Sequence, residues 1–266
     1  ITRKSKKIKI MGKYFSTTVK PILPVATMIG SSKGDNAFAH SDVLFDWTAF
    51  DIPKGANKLT SVTSIVKGLH GAQQTDRDLI LLFAKSEADG TAPGSLGTVN
   101  ATANGTDYYH LLQGYHTIDV TQFALYLDWL SVATAGGGGD DGTRLAPNLI
   151  LQGEPNSGTN VGYDKLYVGA IMGPSGDWNF STGVLLNDGD NVAEGDTALV
   201  TDGVDANKAF SKGDVILKHD SDTVVGTVKS VTANLITLES GSGVAIADDD
   251  EIMPQSPITV VLGFER

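Results

Sequence analysis

The chain carries five histidines, His40, His70, His110, His116 and His219, and no cysteine. No two of the histidines stand at i, i+2 or i, i+4, the spacings that put two imidazoles on one face of a strand or helix for a metal. Without cysteine there is neither a thiolate site nor a disulfide framework. His110 and His116 lie close together among Tyr108, Tyr109 and Tyr115. That segment could form a ligand patch, set against the default of packed aromatic and imidazole rings.

Oxygen ligands concentrate in three runs: GGGGDD (136–141), NDGDN (187–191) and ADDDE (247–251). The first opens like a calcium-binding nonapeptide repeat. Such repeats work by stacking, and here one copy stands alone, with Thr143 where an apolar residue belongs. It reads as a flexible tip. The other two do not fit the twelve-residue loop of an EF-hand. A structural Ca²⁺ there is the alternative to solvated turns leading into strands.

Nucleophile signatures are missing from the sequence. It has no G-x-S-x-G elbow, no phosphate-binding P-loop and no dinucleotide fingerprint; Gly173-Pro174-Ser175-Gly176 and Thr182-Gly183 read as turns. Six Glu and no cleft signature argue against a glycosidase carboxylate pair. Sequons begin at Asn100, Asn104 and Asn179, but no apolar leader follows the basic start, so glycosylation is not expected. The sequence therefore nominates no catalytic, cofactor-binding or metal residue, and no cofactor.

What must position these residues is a β framework. The acids are 25 Asp to six Glu, and there are 31 Gly, a turn-rich and helix-poor composition. At 266 residues the chain can bury roughly 70% of its unfolded surface without a staple. The formal charge is −11, unevenly placed: residues 1–10 hold five basic residues and no acid, while 187–251 hold 14 acids against four Lys. An acidic body repels phosphates, which excludes nonspecific nucleic-acid binding. No apolar run reaches the ~20 residues of a membrane helix, so no membrane partner is expected.

Strand signals begin at VLFDWTAFDI (43–52), whose alternation puts Val43, Phe45, Trp47 and Ala49 on one face. LTSVTSIVKGL (59–69) alternates as well, and DLILLFAKS (78–86), apolar on both faces, reads as a central strand. Residues 87–107 form a long polar loop, of a length that usually marks a functional surface or a contact with a neighbour. Over 115–135 we expect a strand, a short helical turn near Thr121 marked by the Asp119/Gln122 capping box, and another strand. NLILQG (148–153), KLYVGAIM (165–172) and STGVLLN (181–187) follow.

After Asn187 an acidic turn repeatedly precedes a short apolar strand: EGDTALV (194–200), KGDVILK (212–218) and DDEIM (249–253). Between the last two sits a hairpin, 223–241, turning at Thr232-Ala233-Asn234, with Val224, Val228, Ile236 and Leu238 expected inside. The closing SPITVVLGFE (256–265) is too apolar for an edge and should pair inside a sheet. These readings give an all-β chain. A basic arm spans 1–13, a β-sandwich or jelly-roll-like main domain spans 14–187 plus 252–266, and a small acidic β-barrel is inserted over 188–251.

The stretches MGKYFSTTVKP (11–21), DVLFDWTAFDIPKGANKL (42–59) and FAKS…GTAPGSLGTVNATANGTDYY (83–109) resemble uncharacterised virion structural proteins of contractile-tailed phages infecting marine cyanobacteria. The resemblance spans most of residues 11–175, and the acidic insert looks like the small barrels that head-decoration proteins present outward. It implies a non-enzymatic particle component in many copies. The expected role is a capsid decoration or cement protein on the virion surface, a homo-oligomer whose partners are its own copies and the major capsid protein. The alternative is a tail, baseplate or fibre protein that binds a receptor or glycan.

Overall fold

The structure is a computed structural model. It describes residues 13–24, 38–67, 78–87, 91–105, 108–126, 130–136, 146–155, 163–174, 183–186, 191–203 and 206–266. The basic arm over 1–10, His70 and nearly all of the GGGGDD and NDGDN runs lie outside these residues. Among the described residues the chain is nearly all β, with 17 strands and one four-residue helix, α1 (Ala206–Ala209).

Ten of the strands make two antiparallel sheets with one shared core, in chain order β1 (Tyr14–Val19), β2 (Val43–Pro53), β3 (Asn57–Lys67), β4 (Leu79–Lys85), β5 (Leu112–Ile118), β6 (Phe123–Tyr126), β7 (Leu130–Ala135), β8 (Leu149–Leu151), β9 (Glu154–Pro155) and β10 (Tyr163–Met172). The first sheet is completed by β17 (Ile258–Glu265) and runs β1-β17-β3-β7-β6, with β8 added to β3. The second runs β2-β10-β4-β5, with β9 added to β10. Val62, Val260 and Leu262 of the first sheet pack against Phe45, Leu81, Phe83 and Val168 of the second in one cluster. That is the sandwich solution for two sheets each apolar on one face. β4 and β17 both lie inside their sheets, as their apolar content requires.

The turn between β5 and β6 forms as its sequence dictates. Thr121 N–H donates to Asp119 Oδ1 at 2.8 Å, and Asp119 N–H donates back to Gln122 Oε1 at 3.3 Å. The reciprocal pair satisfies the donors of a single 3-10 turn, Val120–Gln122.

On β2 simple alternation fails. The register against β10 slips between Val168 and Ala170 and again between Ala170 and Ile171, each slip leaving one extra residue on β2. Each bulge reverses the side-chain parity. Val43, Leu44 and Phe45 are all buried as a result, and Phe50 and Ile52 enter the shared core, while Ala49 is exposed rather than on the buried face with Phe45.

The remaining strands, β11 (Val184–Leu185), β12 (Ala198–Val200), β13 (Val215–Lys218), β14 (Thr223–Val231), β15 (Leu235–Leu238) and β16 (Glu251–Pro254), form a third antiparallel sheet, β11-β16-β13-β14-β15-β12. It curls into a half-barrel. Its two edge strands approach at a bridge between Leu186 and Thr201, beside Asp202 N–H donating to Leu185 O at 2.8 Å. Leu199, Phe210, Ile216, Val228 and Ile236 fill a cluster separate from the sandwich core. Val184, Leu186 and Ile252 belong to that cluster, so the module's packing reaches beyond 188–251 at both ends. Leu217 and Met253, on β13 and β16, instead join the sandwich core. In the hairpin a bulge opposite Ile216 and Leu217 reverses parity. Val225 (1% exposed) therefore takes the inward place expected for Val224, which is 48% exposed.

Candidate functional site

The acidic turns that precede the module's short strands share one geometry. In Ala193–Asp196, Ser211–Asp214 and Ala247–Asp250 the first residue's N–H donates to the fourth residue's Asp Oδ2, at 2.8, 2.8 and 2.7 Å. The Asp N–H donates back to the first residue's carbonyl, at 3.1, 3.0 and 3.2 Å. Ala39 and Asp42 make the same pair, at 2.7 and 3.1 Å, just before β2. The third residue is left-handed in every case: Ser41, Gly195, Gly213 and Asp249 have φ of 70°, 97°, 87° and 62°. Gly relieves that backbone, and Asp tolerates it better than most residues. The Asp closes the turn and delivers the chain into a strand, which accounts for the recurring G-D and D-D pairs.

Two of these carboxylates also hold cations. Lys67 Nζ on β3 binds Asp214 and so links sandwich to module. Asp250 accepts from Lys218 Nζ at 2.8 Å, and that hydrogen bond keeps the ammonium protonated above the usual lysine range. Among the described residues no group of three or more His, Asp or Glu side chains is arranged to hold a metal ion.

The described histidines sit in different environments. His116, on β5, has an Nε2 that is buried with no hydrogen-bond partner among the described residues, and burial pushes its pKa below the ordinary value. His219 is buried in the module with Nδ1 3.1 Å from Glu251 Oε2. His110 lies in the 3-10 turn Tyr109–Leu111, its ring 6.1 Å from that of Tyr109.

The tyrosine segment divides by environment. Tyr108 is buried edge-on against Trp47, centroids 5.3 Å apart, and burial together with Asp46 raises its pKa. Tyr109 and Tyr115 are 67% and 66% exposed. Chain neighbours of these rings, His110, Leu112 and Gln113, line an open cleft of about 260 Å³ together with Lys85, Gln152 and Glu154. Lys85 and Glu154 pair at 3.1 Å across it. The Gln113 amide grips the Gln152 backbone from both sides, its Oε1 accepting from the Gln152 N–H at 2.7 Å and its Nε2 donating to the carbonyl. The cleft thus combines a fixed amide with an ion pair.

The long loop after β4 turns back onto its own sheet. Asp46 Oδ1 accepts from Leu96 N–H at 2.9 Å, its Oδ2 accepts from Ser95 Oγ at 2.6 Å, and Trp47 Nε1 donates to Gly94 O at 2.7 Å. Leu96 is buried with Val43 and Tyr108, and Val99 and Thr102 bridge to the start of β2. The loop therefore covers the outer face of the second sheet and blunts its edge strand. Sequence reasoning missed this clasp, although Leu96 alone in a polar stretch was its signal.

No family model matches the chain, and no curated protein matches it. Among solved structures it is similar to dimeric latent PorU from Porphyromonas gingivalis at 13% identity, over 98% of this chain and 21% of that one, with a TM-score of 0.14. The chain spans about a fifth of PorU's length, and likeness at that level carries no argument about fold or role.

Proposed function

We propose that this chain is a non-enzymatic structural protein of a phage virion, a capsid decoration or cement protein bound in many copies to the head surface. The observation that carries this reading is the strand order. Numbering eight sandwich strands along the chain (β7 as the sixth, with its antiparallel edge partner β6 and the short β8 and β9 set aside), the two sheets read 1-8-3-6 and 2-7-4-5. That is the order of one long hairpin, pairing 1 with 8, 2 with 7, 3 with 6 and 4 with 5, rolled into two layers. It supports a jelly roll, an architecture shared by viral capsid and lectin domains. The half-barrel then lies in the connection between the last two strands and supports the small-barrel reading of the insert. The resemblance of residues 11–175 to virion structural proteins favours the particle over the other uses of the fold. Fold alone does not carry function, so the test is on the particle. Density-gradient-purified particles should contain the chain in stoichiometric amounts, and a particle map should hold it outside the shell. Its absence from purified particles would sink the reading.

A second reading rests on the exposed rings of Tyr109 and Tyr115, in the same chain segment as the cleft residues His110, Leu112 and Gln113. Exposed aromatic rings suit stacking on a sugar, which supports a tail or fibre protein that binds glycan. A glycan array decides it: selective binding abolished by Tyr115→Ala favours this role over decoration.

A further inference from the structure

We propose that two copies of this chain pair through the outer face of the first sheet, an association that does not rest on the virion reading. The cross-strand register defines the face. Its rows are Ser16, Gly263 and Ser61; then Thr18, Val261, Thr63 and Thr134; then Thr259, Ile65, Val132 and Ala124. Along the strands these alternate with residues that are buried or half-buried toward the core, so they lie on the side away from the sandwich core. The rows cross five strands without one charged side chain, in a protein of formal charge −11. Among the described residues the charged side chains stand at the rim: Lys58 and Glu265 as cross-strand neighbours at one end, and at the other Lys67, bound to Asp214, and the exposed Lys20 just after β1.

The two outer faces of the sandwich differ. That of the second sheet wears its own loop, with Leu96, Val99 and Tyr108 packed onto it. That of the first makes side-chain hydrogen bonds within the sheet, Thr60 Oγ1 to Gly263 O at 3.0 Å and Thr63 Oγ1 with Thr134 Oγ1 at 3.1 Å.

Its chemistry selects the occupant. A basic partner would be recognised by acidic surface, and this face offers it none. Two identical acidic molecules, by contrast, meet without like-charge opposition across a face that carries no charge. A hydroxyl both donates and accepts, so a field of Ser and Thr is complementary to itself under a two-fold axis, while the Val and Ile side chains and Thr methyls bury against their counterparts. Five strands ~4.8 Å apart and about six residues long cover roughly 500 Å² per copy. Pairing buries on the order of 1,000 Å² in total, the threshold of a specific interface and the mark of a reversible one.

The full-length chain is examined by sedimentation velocity over a concentration series. The wild type should move from 27.9 kDa toward twice that mass as concentration rises. Thr63→Lys and, on a different strand, Thr259→Lys should remain monomeric while keeping the wild-type circular dichroism spectrum and a cooperative melt, and Tyr115→Lys on the other sheet should dimerise normally. A wild type that stays monomeric throughout, or association that persists in both face variants, would overturn the proposal. Because the chain has no cysteine, Thr63→Cys gives a readout that needs no disruptive charge. Its alkylation should slow by about fivefold well above the dissociation constant, with Tyr115→Cys unaffected; equal rates at all concentrations would also overturn it.

Discussion

At the scale of single residues, side chains that look reactive in the sequence act as structural ties. Asp214 closes the turn before β13 and binds Lys67. Asp214→Ala should therefore destabilise the protein by about 1–2 kcal/mol in urea unfolding, since the turn loses a capping acceptor and the half-buried pair its anion. A variant of unchanged stability would deny the turn its structural role. His116 gives a pH signature. Its folded pKa lies below the unfolded value, so the unfolded chain binds the extra proton first as pH falls. That contribution to stability is complete above about pH 6.5 and declines below it, until the folded pKa is passed. The melting temperature should fall between neutral and mildly acidic pH, and His116→Gln should flatten that part of the curve; identical curves would contradict the buried imidazole.

At the scale of elements, bulges and clasps decide which face a residue takes. Gly169 on β10 sits under the loop clasp, and a Cβ there would meet Leu96 Cδ1 at 2.3 Å and Trp47 Cε3 at 3.1 Å. Gly169→Ala should lift Leu96, at about 1–3 kcal/mol, and increase protease cleavage within 91–104. Unchanged cleavage would mean that the loop is not held there. The 3-10 turn was readable because its signal is local: Asp119 and Gln122 suffice. The parity of β2 and β14 was not readable, because a bulge depends on the partner strand. Alternation gives Ala49 and Val224 inward places that the register hands to Phe50 and Val225.

At the scale of the molecule, the module is mounted on the sandwich rather than hung from it. Leu217 and Met253 enter the sandwich core, and Gln255 N–H donates to Val215 O at 2.8 Å. Replacing residues 183–255 by a short Gly/Ser linker should leave a folded β protein by circular dichroism with a lower melting temperature, the expected effect of removing two core side chains. A product without cooperative unfolding would show that the sandwich cannot fold without its insert. The sequence by itself determined the all-β class, most strand positions, the acid-rich turns and the interior places of β4 and β17, because these follow from periodicity, turn chemistry and hydrophobicity within a few residues of chain. Tertiary structure alone decided the interleaved strand order, the seating of Leu96 on Trp47 and Gly169, and the uncharged outer face of the first sheet. Each of these needs residues far apart in the chain to meet, and side-chain direction in a sheet is fixed by the neighbouring strand.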